Sequence, residues 1–257
     1  MLLLKQPEQR EEGDPLSQLR YYQIISNNKL ISYNRYMSMS RKKLGMDTRS
    51  IALSAVFSSL AVMLTMTNLT IPFPLLPYLK FDFSEIPVTM TFFLIGPQYA
   101  LLSTAIYWIV LTIRAGDILG PAMKGAAVAS MIIGFWIASK VTKWNKTNSI
   151  KSLMTSGLII GVLLRVLVMS VFNYAVFVYI APFWLDFATG LIAALGLPTT
   201  SVSQTILWTL LLTGLYNLLH TALSMIPSLF ISKASIDRVP YLAVNSWIAQ
   251  YKTPEQD

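Results

Sequence analysis

Between residues 50 and 231 the chain is a succession of long apolar blocks holding only four acidic side chains, Asp82, Glu85, Asp117 and Asp186. About 20 apolar residues cross the roughly 30 Å hydrocarbon core of a bilayer, and a soluble domain does not bury several such blocks at once. Composition agrees: 54% of the 257 residues are hydrophobic and 12% charged, about half the charged share of a soluble domain. The expected class is an all-α integral membrane protein.

The net charge of +8 invites a nucleic-acid reading, but the lysines and arginines sit mainly outside the apolar blocks, where positive flanks of membrane spans belong. No nucleic-acid partner is expected, and membrane lipid is the surrounding medium. With no cysteine and one histidine, His220, disulfides, iron–sulfur clusters and Cys/His zinc sites are excluded. The string "GPAMKG" at 120–125 lacks the spacing and the Ser/Thr of a phosphate loop, and neither H-E-x-x-H nor G-x-S-x-G occurs. The chain is therefore expected to bind a solute rather than catalyse, without ATPase activity, metal or cofactor of its own.

Loop charge fixes the number of crossings. Apolar blocks cover residues 50–71, 87–113, 121–139, 153–180 and 202–231. The second is broken at Gly96-Pro97, a strong turn signal. "RKKLGMDTR" ahead of the first block and Lys140, Lys143, Lys146 and Lys151 after the third both belong on the cytoplasmic side. An even number of crossings must separate them, so residues 87–113 count as two short helices. Six transmembrane helices result, with both termini cytoplasmic and a short interfacial helix at 191–195 in a segment free of Lys and Arg. Residues 1–45 form a polar cytoplasmic extension, or lie upstream of a true start at Met37, Met39 or Met46. Residues 46–233 form the membrane domain and 234–257 a polar cytoplasmic tail.

Several polar groups lie where hydrocarbon should be. Arg165 is about twelve residues into its span, so it must face the bundle interior and have a partner. Asn173 shares its face two turns on, and Asn217 and His220 share a face of the last span. These amides and the imidazole suit either interhelical hydrogen bonds or a heteroaromatic ligand. At the outer face "YLKFDFSEIP" (78–87) carries Lys80, Asp82 and Glu85 among aromatics. Asp82, Ser84 and Glu85 are expected to cap the helix starting near Pro87, and Lys80 to pair with a carboxylate or line a pocket under the proline-punctuated loop "PFPLLPY". In the first span Ser54 and Ser58, and Ala55 and Ser59, are small residues four apart, a spacing that permits close helix approach and that an intramolecular contact explains as well as a partner does.

The ordered strings "LKFDFSEIP", "FLIGP", "GPAMKGAA", "FNYAVFVYIAPF" and "LYNLLHTALSMIPSLF" resemble the substrate-binding S components of energy-coupling factor (ECF) vitamin transporters, most closely the riboflavin-binding kind, over residues 46–233. The resemblance implies a six-helix bundle holding a vitamin near the outer surface beneath the loop between the first two helices. It also implies docking, partly through the small residues Ala55, Ser58 and Ser59, on a transmembrane T component carrying two ATPase subunits. Asn173 and Asn217 match family asparagines that contact the flavin. Lys80, Phe81, Asp82 and Tyr216 fall in strings around the expected site. The family pattern has lysine three residues after the second asparagine, where this chain has His220. Riboflavin or a related flavin is the leading ligand; another vitamin or precursor, and a membrane scaffold without a transport role, stay open.

Overall fold

The computed structural model describes residues 47–144, 149–239, 242 and 245–251. The chain divides into one unit at Met1–Met46 and another from Asp47 onward; the expected N-terminal extension and its alternative starts fall in the first, outside the described residues.

Helix α1 (Thr48–Met66) presents Ser54 and Ser58 to α3 (Pro97–Ala115). The Ser58 and Ser103 hydroxyls meet at 2.8 Å, an approach that only small side chains allow. After α1 the chain reverses at Asn68, whose φ of 53° is left-handed, and enters a β-hairpin rather than a plain loop. Strand β1 (Thr70–Phe73) pairs antiparallel with β2 (Leu76–Asp82), with an irregularity at Pro72/Phe73. Proline lacks a ladder donor, so an irregular edge is where a strand tolerates it. A two-stranded hairpin is marginal alone; here Phe73 and Leu76 anchor it in the core.

Helix α2 (Glu85–Leu94) is only 10 residues long and buried nearly all round, roughly 15 Å of rise. Gly96 ends it with φ 125°, a backbone that favours glycine, and Pro97 opens α3 at the position where proline is pre-organised for a helix. The expected break at Gly96-Pro97 is present. Helices α4 (Leu119–Trp144) and α5 (Ile150–Ala175) pack through glycine. A Cβ on Gly134 would lie 2.6 Å from the Gly161 Cα, and one on Gly157 would lie 2.4 Å from the Phe135 ring.

A π-helical turn, Val176–Ile180, ends α5. Helix α6 (Phe183–Ala194) starts eight residues before the interfacial helix expected at 191–195, because the apolar run from Phe183 is itself helical. Helix α7 (Val202–Arg238) is 37 residues long and outruns the expected end at 231. Its polar last turns keep helical hydrogen bonding beyond the apolar block. The expected polar tail is likewise not wholly free. Trp247 packs on Phe92 at 4.8 Å, Ile248 and Tyr251 are buried, and the Tyr251 hydroxyl reaches the Ser139 carbonyl at 3.4 Å.

Among the described residues four helices are long and apolar enough to cross a membrane: Thr48–Met66, Leu119–Trp144, Ile150–Ile180 and Val202–Arg238. The fold is a mostly helical, multi-pass membrane bundle with a hairpin between its first two helices.

Candidate functional site

The buried face of α7 is a polar stripe running from Thr205 through Asn217, His220 and Ser224 to Ser232. Most of its hydroxyls bond the carbonyl one turn back, as at Thr209 and Thr221, which satisfies them inside the helix. Asn217, His220 and Ser224 also reach other elements.

Their hub is Arg165 of α5, a helix that lies directly against α7, where a Cβ on Gly214 would be 3.5 Å from Val166. Arg165 Nη1 and Nη2 grip the Glu85 carboxylate at 2.7 and 3.0 Å, the bidentate fork that suits guanidinium and carboxylate. Nε donates to Asn217 Oδ1 at 3.0 Å. The remaining donors face His220 Nδ1 at 3.4 Å and Met131 Sδ at 3.5 Å. All five guanidinium N–H groups are thereby used. Ser224 donates to Glu85 Oε2 at 2.8 Å. The side chains of Arg165 and Glu85 are 2% and 1% exposed.

A second network lies one step outward. Asp82 pairs with Lys124 and accepts from the Ser84 backbone N–H at 2.9 Å and from the Ser84 hydroxyl. Lys124 Nζ also reaches Ser84 Oγ at 2.9 Å. From Ser84 the chain of hydroxyls continues to Tyr107 at 2.6 Å and Thr65 at 2.9 Å.

Aromatic rings roof these networks. Phe81 stacks on Tyr216 with centroids 4.9 Å apart and meets His220 edge-on at 5.6 Å. The Tyr216 hydroxyl donates to the Lys80 carbonyl at 2.7 Å, and His220 Nε2 lies 3.3 Å from the Asp82 carbonyl. Further out, Tyr78 packs between Trp184 and Phe187 of α6 at 6.4 and 6.0 Å. Burial pushes the Tyr78 phenol up to about 12.

An apolar groove of ≈ 480 Å³ opens between the start of α4 and the end of α5, lined by Leu119, Met123, Phe172 and Val176 among others.

Of the expected site residues, Phe81, Asp82, Tyr216, Asn217 and His220 converge beneath the hairpin. Lys80 joins only through its carbonyl, its side chain being exposed. The expected pairing of Lys80 with a carboxylate is corrected: Lys124 takes Asp82, because β2 turns the Lys80 side chain to the outside. Asn173 is buried but donates to the Met169 carbonyl of its own helix at 2.8 Å. The expected capping role is also overturned. No side-chain cap bond starts α2; Ser84 and Asp82 serve Lys124 and Tyr107, and Glu85 serves Arg165. Ser58, expected at a partner interface, faces inward on Ser103, so of the three small residues only Ala55 and Ser59 are exposed.

Glu85, Lys124 and Tyr107 were not among the expected site residues. Glu85 had a signal: Arg165 needs a partner, and only four acidic residues lie between 50 and 231. Tyr107 had none, since an aromatic in a span is ordinary.

No family model matches the chain. It is 32% identical over 131 residues to the riboflavin transporter FmnP of Bacillus subtilis, covering 50% of this chain and 66% of that protein. Over 139 residues it is 35% identical to the riboflavin transporter RibU of Staphylococcus aureus, covering 53% of this chain and 69% of that one. Each match thus spans about two thirds of the relative's length. Among solved structures, the S component of a bacterial ECF transporter superposes with TM-score 0.53 at 23% identity, over 75% of this chain and 98% of that one.

Proposed function

The chain belongs to the family of the bacterial riboflavin transporters FmnP and RibU and has the fold of an ECF-transporter S component, and from that premise we propose that it captures riboflavin or a related flavin at the outer membrane face. Such proteins bind substrate and carry out no chemistry. In the proposed cycle a T component and two ATPase subunits drive release on the inside, with Ala55 and Ser59 of α1 in the docking face. The proposed topology is six crossings, α1 to α5 and α7, with α6 in the outer interface and both termini cytoplasmic. The lysines clustered from the last turns of α4 to the first turn of α5 support it.

One observation carries the ligand reading: Tyr216 and His220 of α7 meet Phe81 and Asp82 of β2 beneath the hairpin, and Asn217 joins them through Arg165, which also faces His220. A planar, acceptor-rich ring is recognised by stacking on aromatic faces and hydrogen bonds at its edge. The Phe81–Tyr216 stack is a self-contact that such a ring replaces. The apolar groove by Met123 and Phe172 suits a hydrocarbon edge. Asn173 is proposed to turn from Met169 to the ligand, as Asn217 offers its free amide hydrogen.

Titration of the purified protein with riboflavin, read by flavin fluorescence quenching, tests this. Tight binding is expected, weakened about tenfold by Asn217→Ala, the effect of about one hydrogen bond. Folded protein with no affinity for any flavin overturns the flavin reading, and a panel of other vitamins then identifies the ligand class. Uptake that persists without the ATPase subunits overturns the coupling.

A further inference from the structure

We infer that Arg165, held by Glu85, is a positioning residue that fixes the amide orientation of Asn217 and the tautomer of His220, so that both present N–H donors to the ligand. This rests on the reading that the ligand lies beneath the hairpin.

Arginine only donates. The Asn217 atom 3.0 Å from Arg165 Nε is therefore the carbonyl oxygen, and the amide nitrogen is left facing the Thr213 carbonyl at 2.8 Å with one hydrogen to spare. A flipped amide would set N–H against N–H at Arg165 and oxygen against oxygen at Thr213. The same rule applies to the imidazole. His220 Nδ1 faces Arg165 Nη2 at 3.4 Å, so Nδ1 accepts and the ring proton sits on Nε2. The other side agrees, because Nε2 faces two acceptors, the Asp82 carbonyl at 3.3 Å and Glu85 Oε1 at 3.6 Å.

Arg165 holds this arrangement only while its own direction is fixed, and the bidentate Glu85 contact fixes it in a buried setting. Glu85 is steadied in turn by Ser224. The position three residues after Asn217 thus supplies a neutral ring N–H in this chain. Its present acceptor is a hairpin carbonyl at 3.3 Å, which a ligand carbonyl or ring nitrogen replaces when the hairpin makes room. The site recognises a ligand edge bearing two hydrogen-bond acceptors, read by Asn217 Nδ2 and His220 Nε2.

His220 is the one histidine in the sequence, so full-length protein labelled with ¹⁵N-histidine gives a single imidazole whose protonated and bare nitrogens are distinguished by NMR without assignment. The ligand-free protein is expected to show Nε2–H with bare Nδ1, and riboflavin to shift Nε2 while Nδ1 stays bare. In Glu85→Gln/Arg165→Gln, which removes both charges together, the ring is expected to become a tautomer mixture and riboflavin affinity to fall about tenfold. Arg165→Lys, which keeps the charge and loses the fork and the Nε donor, is the second variant if the first does not fold; it is expected to give the same mixture. An Nδ1–H ring or an imidazolium in the wild type overturns the inference, as does a variant that keeps both tautomer and affinity. Wild-type protein with Nε2–H that binds no flavin refutes the ligand reading and upholds the positioning.

Discussion

Replacing Glu85 by alanine isolates the largest single electrostatic commitment in the bundle. The carboxylate accepts two hydrogen bonds from Arg165 and one from Ser224, in a place where both charged side chains are almost completely shielded. Removing one member of such a buried pair leaves the other charge uncompensated, which costs about 3–5 kcal/mol. At about 2–4 °C per kcal/mol for a chain of this size, the melting temperature falls by roughly 6–20 °C. Glu85→Gln should fall in the same direction, since one oxygen still accepts but the amide N–H₂ opposes the guanidinium. Glu85→Ala/Arg165→Met should recover most of the loss, because two apolar groups need no partners. Thermal melts of the purified protein, followed by fluorescence-detected size exclusion, give all four corners of the double-mutant cycle. A Glu85→Ala variant melting within about 2 °C of wild type would refute the pairing as the element that holds α2 to α5. Additive losses in the double variant would refute the coupling.

Gly134→Val should destabilise by about 1–3 kcal/mol, because its Cβ would lie 2.6 Å from the Gly161 backbone, whereas Gly190→Ala, with nothing within 4 Å, should leave the melt unchanged. Lys124→Met should free the hairpin: the Lys124–Asp82 pair is 21% and 15% exposed and holds it by about 1 kcal/mol. Trypsin cleavage after the exposed Lys80, read by mass spectrometry, should then run roughly fivefold faster; an unchanged rate refutes the latch. The Tyr78 hydroxyl is buried without a hydrogen-bond partner among the described residues, so Tyr78→Phe should leave stability unchanged or raise it by about 1 kcal/mol. Its folded-state pKa lies at about 12 against an ordinary 10. Its contribution is therefore present below pH 10 and lost between pH 10 and 12, and alkaline melts of wild type should fall there more steeply than those of Tyr78→Phe.

The membrane class, the break at Gly96-Pro97 and the α7 positions Asn217 and His220 were legible in the sequence because each rests on a local rule: apolar length, turn chemistry and helical periodicity. The hairpin was less so, since Pro72 and Pro74 argue against strand and only the core pockets for Phe73 and Leu76 override them. The Asp82–Lys124 pair joins residues 42 apart and Glu85–Arg165 residues 80 apart. Nothing in either local string states those distances; the packing of separate elements does, including an α4–α5 contact made close by Gly134, Gly157 and Gly161. The spacing Gly157-x-x-x-Gly161 was open to view as a close-approach signal. The Ser54/Ser58 spacing fits either an internal contact or a partner, and Ser58 makes the internal one, on Ser103, because a four-residue spacing marks a face without saying which neighbour that face meets.

Residues 80–85 take part in both the Asp82–Lys124 and the Glu85–Arg165 pairs, and their commitments differ in how readily they are given up. Lys80 bonds Tyr216 through its carbonyl, Phe81 stacks on the same ring, and Asp82 holds a partly exposed lysine. Each of these belongs to the hairpin and costs about 1 kcal/mol or less to break where water can replace the partner. Glu85 belongs to α2, and its bond to Arg165 costs several times more because no water reaches it. In the proposed function a hairpin lifting to admit a ligand would break the outer contacts and keep the inner one, with the bend between Asp82 and Glu85. Ser84 sits at that bend with its hydroxyl shared among Asp82, Lys124 and Tyr107, so it keeps a hydrogen-bond partner on the static side when Asp82 moves away. Asn217 and His220 are tied to the inner pair through Arg165, and also to the Thr213 and Asp82 carbonyls respectively. In the proposed function the Arg165 contacts to Asn217 and His220 persist when the hairpin lifts, which would spare the ligand the entropy of ordering its own site.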